Sequence, residues 1–207
     1  MKYSTRGTPP PPPELQLLAN FFSKFKLPLI IIILIAIGAR TSFYTVEPDE
    51  EAVVIRLGEY IATEGPGPHF KIPFGVDEII KVKTQVVHQL EFGFKTVDSR
   101  PAITKYAKRD YTQESLMLTG DLNVADVEWV VQYQISDPFK YLFQTSQPVK
   151  NIRDISESIM RRVVGDRLVT EVLTTGRVEI AGDAKVLMQE VLDKYDMGIR
   201  ITTIKLQ

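Results

Sequence analysis

The chain has 207 residues, 44% hydrophobic and 25% charged, which is room for one ordinary domain or two small ones and rules out wholesale disorder. It has no cysteine and only two histidines, which excludes a disulfide framework, a thiolate zinc site, a cysteine nucleophile and a histidine-rich metal centre. The formal charge of −1 hides an asymmetry: residues 1–26 carry Lys2, Arg6, Lys24 and Lys26 against Glu14, while residues 41–207 carry 20 basic against 25 acidic side chains. A body that is net acidic lacks the basic footprint of a nucleic-acid binder, so no nucleic-acid partner is expected.

Residues 1–14 contain five consecutive prolines, Pro9 to Pro13, and almost nothing to bury. Residues 1–26 are therefore expected to form a flexible tail. The run Leu27–Ala39 has no polar side chain and lies between Lys26 and Arg40. Thirteen helical residues rise only about 20 Å, short of the ~30 Å hydrocarbon core. Snorkelling of Lys26 and Arg40 extends the usable length, and Phe43 and Tyr44 suit an interface, so a transmembrane anchor over 27–44 is the favoured reading. A cleaved signal peptide is the rival, since Ala36-Ile37-Gly38 passes as a cleavage site, and a buried soluble helix is a third. Four Lys/Arg precede the run, which places the tail in the cytoplasm and the body across the membrane.

The stretch from Thr41 to Val46 is too short for a linker, so the folded body is expected to begin at the membrane surface. Glu51–Leu57 followed by Gly58-Glu59 predicts a strand entering a turn. Gly65-Pro-Gly-Pro-His-Phe-Lys-Ile-Pro-Phe-Gly75 predicts a punctuated loop carrying Phe70, Ile72 and Phe74 with no period to turn them inward. Two readings of these residues stay open: the loop dips into a lipid interface, or Phe70 and Phe74 close the bottom of the sheet core. Asp77–Phe94 predicts one or two strands.

Ser115–Leu118, a turn over Thr119–Asn123, and a strand from Val124 to Ile135 predict a hairpin. Ala125, Val127, Trp129, Val131, Tyr133 and Ile135 alternate with mostly polar neighbours, the mark of a strand with one wet face. Asp137-Pro138 predicts an N-cap and first helical position, for a short helix through Phe143. Val149, Ile152, Ile155, Ile159 and Val163 predict a helix over 148–164; Ala184, Leu187, Met188, Val191 and Tyr195 predict another over 178–195. Gly198 stops it, and Ile199–Leu206 returns to strand. The fold class is α+β.

Gly65-Pro66-Gly67-Pro68-His69-Phe70 with Pro73 and Phe74 resembles the signature loop of the stomatin/prohibitin/flotillin/HflK family, also called SPFH or band 7. Glu114–Asp121 with Asn123, then Gln132-Tyr133, Asp137-Pro138 and Tyr141, is similar to the same family's hairpin and helix start. Leu90-Glu-Phe-Gly-Phe94 and Tyr195-Asp-Met-Gly-Ile199 resemble its HflK branch. The resemblance covers about residues 46–207. It implies a single N-terminal transmembrane helix followed by an SPFH domain, with a sheet-rich first subdomain over 46–135 and a helix-rich second one over 136–207. Members continue into a coiled-coil region that drives ring assembly, which implies either a continuation past Gln207 or an altered assembly here. It further implies a scaffold in the bacterial inner membrane, with its C-terminal body periplasmic. Such a scaffold pairs with an HflC-like homologue in a large hetero-oligomer and regulates access to an FtsH-like AAA protease. A stomatin-like organiser of lipids or a channel is the alternative.

The residues themselves argue against an enzyme. His69 reads as a turn residue and His88 as a strand-surface one, and no G-x-S-x-G, H-E-x-x-H or phosphate loop occurs. No catalytic residue, metal ligand or cofactor site is therefore assigned. Asp121 and Asn123 lack the remaining ligands of a calcium loop and read as side chains capping their own turn. Lys105, Tyr106, Lys108, Arg109 and Tyr111 form a basic, aromatic patch, read as solvated loop surface or a contact for lipid headgroups or a protein. The outer face of the 148–164 helix (Arg153, Glu157, Arg161, Arg162) is a candidate lateral contact.

Overall fold

The computed structural model describes residues 28–100, 103–106 and 112–207. The tail 1–26, Lys26, Leu27, and Lys108, Arg109 and Tyr111 of the basic patch lie outside the described residues. Lys105 and Tyr106 belong to a strand and not to a loop.

The apolar run enters as helix α1 over residues 28–41, about 21 Å long at 1.5 Å per residue. Among the described residues no helix is long and apolar enough to cross a membrane. Strand β1 (Phe43–Val46) follows almost at once, then β2 (Glu50–Arg56), β3 (Glu59–Glu64), β4 (Gly67–Phe70) and β5 (Asp77–Lys83). Strand β2 is the centre of an antiparallel β3–β2–β5 sheet, and β1 pairs separately with β4. Its run of Ala52, Val53 and Val54 is buried, as a central strand requires. The predicted strand at 51–57 is thus present, and Leu57 and Gly58, both at positive φ, make the turn into β3.

The 77–94 stretch divides between sheets. β5 joins β2, whereas β6 (His88–Phe92) lies beside a later strand. A hairpin of β7 (Thr96–Arg100) and β8 (Ile103–Tyr106) leads to a single turn, α2 (Thr112–Ser115). The predicted hairpin is real but shorter: β9 (Leu116–Leu118) pairs only with β10 (Val124–Asp126). The expected unbroken strand to Ile135 is interrupted at Val127-Glu128. Beyond it β11 (Trp129–Ile135) enters a different sheet, of order β12–β11–β6. Val127 is buried like its alternating neighbours, so the side-chain alternation runs through a break in the backbone pairing that no pattern revealed.

Four helices and a strand complete the chain: α3 (Pro138–Phe143), α4 (Pro148–Gly165), α5 (Val169–Leu173), α6 (Arg177–Lys194) and β12 (Ile199–Leu206). Asp137 caps α3 by accepting the Lys140 N–H at 3.1 Å, with Pro138 at the first position, as predicted. Two face assignments fail at helix ends: Val149, in the first turn of α4, is 42% exposed, and Tyr195, the C-cap of α6, is 64% exposed. The core-facing residues are instead Ile152, Ile159, Met160, Val163 and Val164 of α4, and Ile180, Ala184, Met188 and Leu192 of α6. Helix α6 is not stopped by Gly198 as expected: it ends at Lys194, where Asp196 takes the left-handed conformation at φ 52° and the Met197 N–H donates to the Leu192 carbonyl at 3.1 Å. Gly198, at φ 64°, leads into β12, where a side chain would strike the Asp137 carbonyl.

One core joins β6, β9, β10, β11 and β12 to α4, α5 and α6. Trp129 is its centre: fully buried, stacked on Phe92 at 4.6 Å, and donating its indole N–H to Ser156 Oγ at 2.9 Å. Arg153 does not face outward as expected. It lies 4.7 Å over the Phe92 ring and donates to the Glu91 carbonyl at 2.7 Å. The β3–β2–β5 sheet meets this core region through Tyr60, whose ring is 4.2 Å from that of Phe139.

Candidate functional site

Helix α1 is apolar on every side and packs little: Leu29 to Leu34 are about half exposed, and Ile35 is 65% exposed. A helix that is apolar all round requires an apolar environment that the other described residues do not supply. Its last turn is closed locally. Thr41 Oγ1 donates to the Ile37 carbonyl at 3.0 Å, and Ser42 Oγ to the Gly38 carbonyl at 2.8 Å, which satisfies acceptors left free at a helix end.

The exception to the bare helix is Gly38, which is buried. A Cβ there would lie 3.2 Å from Phe74 Cε2 and 3.5 Å from Pro73 Cγ. The missing side chain lets the 71–76 loop lie directly on the end of α1. Phe74 reaches this position from a left-handed backbone, φ 65°, followed by Gly75 at 77°. A bulky residue there costs about 1–2 kcal/mol, so the surrounding structure must enforce it.

The enforcing group is Asp77. Its carboxylate is buried and receives Arg56 Nε at 2.7 Å and Nη2 at 3.1 Å, together with the Ile72 N–H at 2.7 Å. The Arg56 hydrogen bonds, and after them the Ile72 N–H, hold this carboxyl below the usual carboxylate range. On the other side of the loop, the Lys71 N–H donates to the Ser42 carbonyl at 2.7 Å. The loop is therefore clamped at both ends, to β2 and to the α1–β1 junction.

The clamp presents an aromatic surface. Phe70 is 83% and Phe74 65% exposed, Ile72 is 42% exposed, and Phe43 meets Phe70 edge-on at 5.6 Å. Closure of a sheet core by Phe70 and Phe74, the second reading of the sequence, is thus overturned. The expected loop over Gly65–Gly75 is partly a strand, since Gly67–Phe70 is β4 paired with β1. Phe70 at its end comes together with Ile72 and Phe74 of the following loop, with α1 and with Phe43, and Arg40 stands on the last turn of that helix. Sequence reasoning missed Gly38, Arg56 and Asp77. The Phe74-Gly75 pair was the available signal of a forced turn, but nothing in the order of residues linked Asp77 to Arg56.

The remaining candidates are structural. His69 has one ring nitrogen 2.8 Å from the Gly65 carbonyl and the other 3.3 Å from Glu64, and its ring lies 5.6 Å from that of Tyr44. His88 stacks on Tyr133 at 5.3 Å. Asp121 accepts Thr119 Oγ1 at 2.6 Å and Asn123 Nδ2 at 2.8 Å, the turn-capping role predicted, and also takes the Val169 N–H at the start of α5. No group of acids and histidines among the described residues could hold a metal ion.

Comparison with known proteins supplies the context for this surface. The family model for the SPFH domain / Band 7 family matches residues 44–207. The chain is 34% identical over 194 residues to Protein HflK of Borreliella burgdorferi, an alignment covering 94% of this chain and 61% of that one. It is 36% identical to Protein HflK of Treponema pallidum, over 84% of this chain and 53% of the relative. To the Escherichia coli protein named Modulator of FtsH protease HflK it is 30% identical, over 84% and 36%. The chain thus spans between roughly a third and three fifths of the length of these curated relatives.

Proposed function

The chain belongs to the SPFH domain / Band 7 family, and on that footing we propose that it is a membrane-anchored, non-enzymatic scaffold subunit of the HflK type. It assembles with an HflC-like homologue into a large hetero-oligomer and regulates which substrates reach an FtsH-like AAA protease. The observation that carries this reading is the 30% identity, over 84% of the chain, to a protein named as a modulator of FtsH protease. The bare apolar helix running straight into the matched domain supports it, since a scaffold on a membrane protease needs such an attachment.

The anchor in this reading is 27–44, flanked by Lys26 and Arg40, in the bacterial inner membrane. The four Lys/Arg of the tail support a cytoplasmic N-terminus and a periplasmic body. Phe70, Ile72 and Phe74 enter the boundary between headgroups and acyl chains beside the anchor. Each buried Phe contributes about 1.5–3 kcal/mol of apolar transfer, enough to hold the domain at a defined tilt.

The test is the mass of the gently detergent-extracted native complex with its subunits identified. The expected result is an assembly many times the 23.5 kDa of one chain that contains an HflC-like protein and a AAA protease. An assembly holding this chain and lipid but no protease would refute the protease reading and leave the stomatin-like organiser.

A further inference from the structure

The sheet order leaves β12, eight residues long, on an outer edge. Edge strands display unpaired N–H and C=O groups, which natural sheets usually block. The first half of this edge is blocked. Gln189 of α6 donates to the Ile199 carbonyl at 2.9 Å and accepts the Ile201 N–H at 2.8 Å, standing in for a neighbouring strand. Lys185 donates to the Thr202 carbonyl at 2.8 Å.

The second half is open. The Gln207 N–H donates to the Glu128 carbonyl at 2.8 Å, and the register pairs Leu206 with Trp129 and Lys205 with Val130. Antiparallel alternation then aims the main-chain groups of Thr203 and Lys205 at β11, and those of Ile204 and Leu206 outward. Among the described residues no hydrogen bond from outside the sheet reaches these outward groups, in contrast to those of Ile199, Ile201 and Thr202.

A groove of about 460 Å³ runs beside this half-edge, between β12 and the first turns of α6. Val178, 84% exposed, and Ala181 line it with Gly182. Gly182 lies inside a helix, where glycine is destabilising relative to alanine. A Cβ there would meet nothing within 4 Å, so no internal contact requires its absence, and what it leaves free is the groove. The charges around the groove have one sign. Arg177, Lys185 and Lys205 border it, and among the described residues none of them is ion-paired with a carboxylate.

We propose that this half-edge binds an extended acidic peptide segment of a partner protein as an added β-strand. Side chains alternate along a strand, so the fitting segment alternates β-branched apolar residues with Asp or Glu. The apolar set enters the groove over Ala181 and Gly182, and the carboxylates face the exposed Lys205 and Arg177. Main-chain hydrogen bonds to Ile204 and Leu206 supply the register. The site lies on the C-terminal core and does not depend on the anchor or on the protease reading.

The experiment is fluorescence anisotropy with the full chain in detergent and a short labelled peptide alternating valine and glutamate. The expected result is saturable binding, weakened about tenfold or more by Arg177→Glu with Lys205→Glu and likewise by Gly182→Leu, which fills the groove. The variants alter exposed positions, and unchanged Trp129 emission confirms their fold. A peptide N-methylated on alternate backbone amides should lose binding, since it cannot pair with a strand edge. Undetectable binding of the parent peptide overturns the proposal. So does equal binding of the N-methylated peptide, of a valine–lysine peptide, or by the charge-reversed variant.

Discussion

Replacing Trp129 by alanine tests the packing on which the C-terminal core rests. The side chain is 0% exposed, lies 4.6 Å from Phe92 with the rings nearly parallel, and is surrounded by core residues of α4 and β12. Truncating a fully buried aromatic costs about 3–5 kcal/mol, the lost transfer energy plus the cavity left behind. A second component is separable. The indole N–H is donated to Ser156 Oγ at 2.9 Å, and Ser156 is itself only 2% exposed. Trp129→Phe keeps most of the ring but strands that hydroxyl, at about 1–3 kcal/mol. Adding Ser156→Ala to Trp129→Phe should recover part of the loss, because both polar partners are then gone. Total stabilities of about 5–15 kcal/mol make each difference measurable by urea unfolding followed by far-UV circular dichroism. Trp129 is the only tryptophan, so wild-type emission should be blue and poorly quenched. A loss below about 1.5 kcal/mol in Trp129→Ala, or red and freely quenched wild-type emission, would refute the packing argument.

Photo-crosslinking residues placed at Phe70 and Phe74 should capture lipid in native membranes; adducts to protein alone at both positions would end the interface proposal. A cysteine at Ser4 should resist an impermeant thiol reagent in intact cells while one in the body reacts, and labelling at Ser4 would reverse the proposed orientation. The Asp77 carboxyl titrates lower in the folded chain than in the unfolded one, chiefly through its hydrogen bonds from Arg56. Its stabilising effect is therefore complete above the unfolded value of about 3.9 and fades as pH falls through the lower folded value. Unfolding midpoints should accordingly drop more steeply below about pH 4 in wild type than in Asp77→Asn; parallel pH profiles would show that the Arg56 clamp contributes nothing.

Local chemistry was enough to identify α1, α3, α4 and α6, the Asp137 cap and strands such as β2 and β12, whereas α2, α5, β1, β3, β4, β7 and β8 were not legible in the residues. Asp137-Pro138 starts α3 because a short carboxylate and a fixed φ suit a helix N-terminus wherever they occur. The buried alternation from Ala125 to Ile135 was equally legible, since a strand's period is a property of its own backbone. The apolar, unpartnered character of residues 28–37 needed no partner to be read either.

What tertiary structure decided are the relations between distant segments. Alternation gives the face of a residue but not the identity of its neighbour, so the break at Val127-Glu128 and the pairing of β11 with both β6 and β12 were invisible. The candidate surface has the same origin. Phe70 and Phe74 could have pointed inward or outward from any loop of that composition. They point outward because Asp77 joins Arg56, 21 positions earlier, to the Ile72 N–H, and because Gly38 leaves room for Phe74 on α1. The open half of β12 follows likewise from where Gln189 and Lys185 reach across to its first half. A hydrogen bond or a steric gap between remote residues exists only once the chain has brought them together, and no one-dimensional pattern records it.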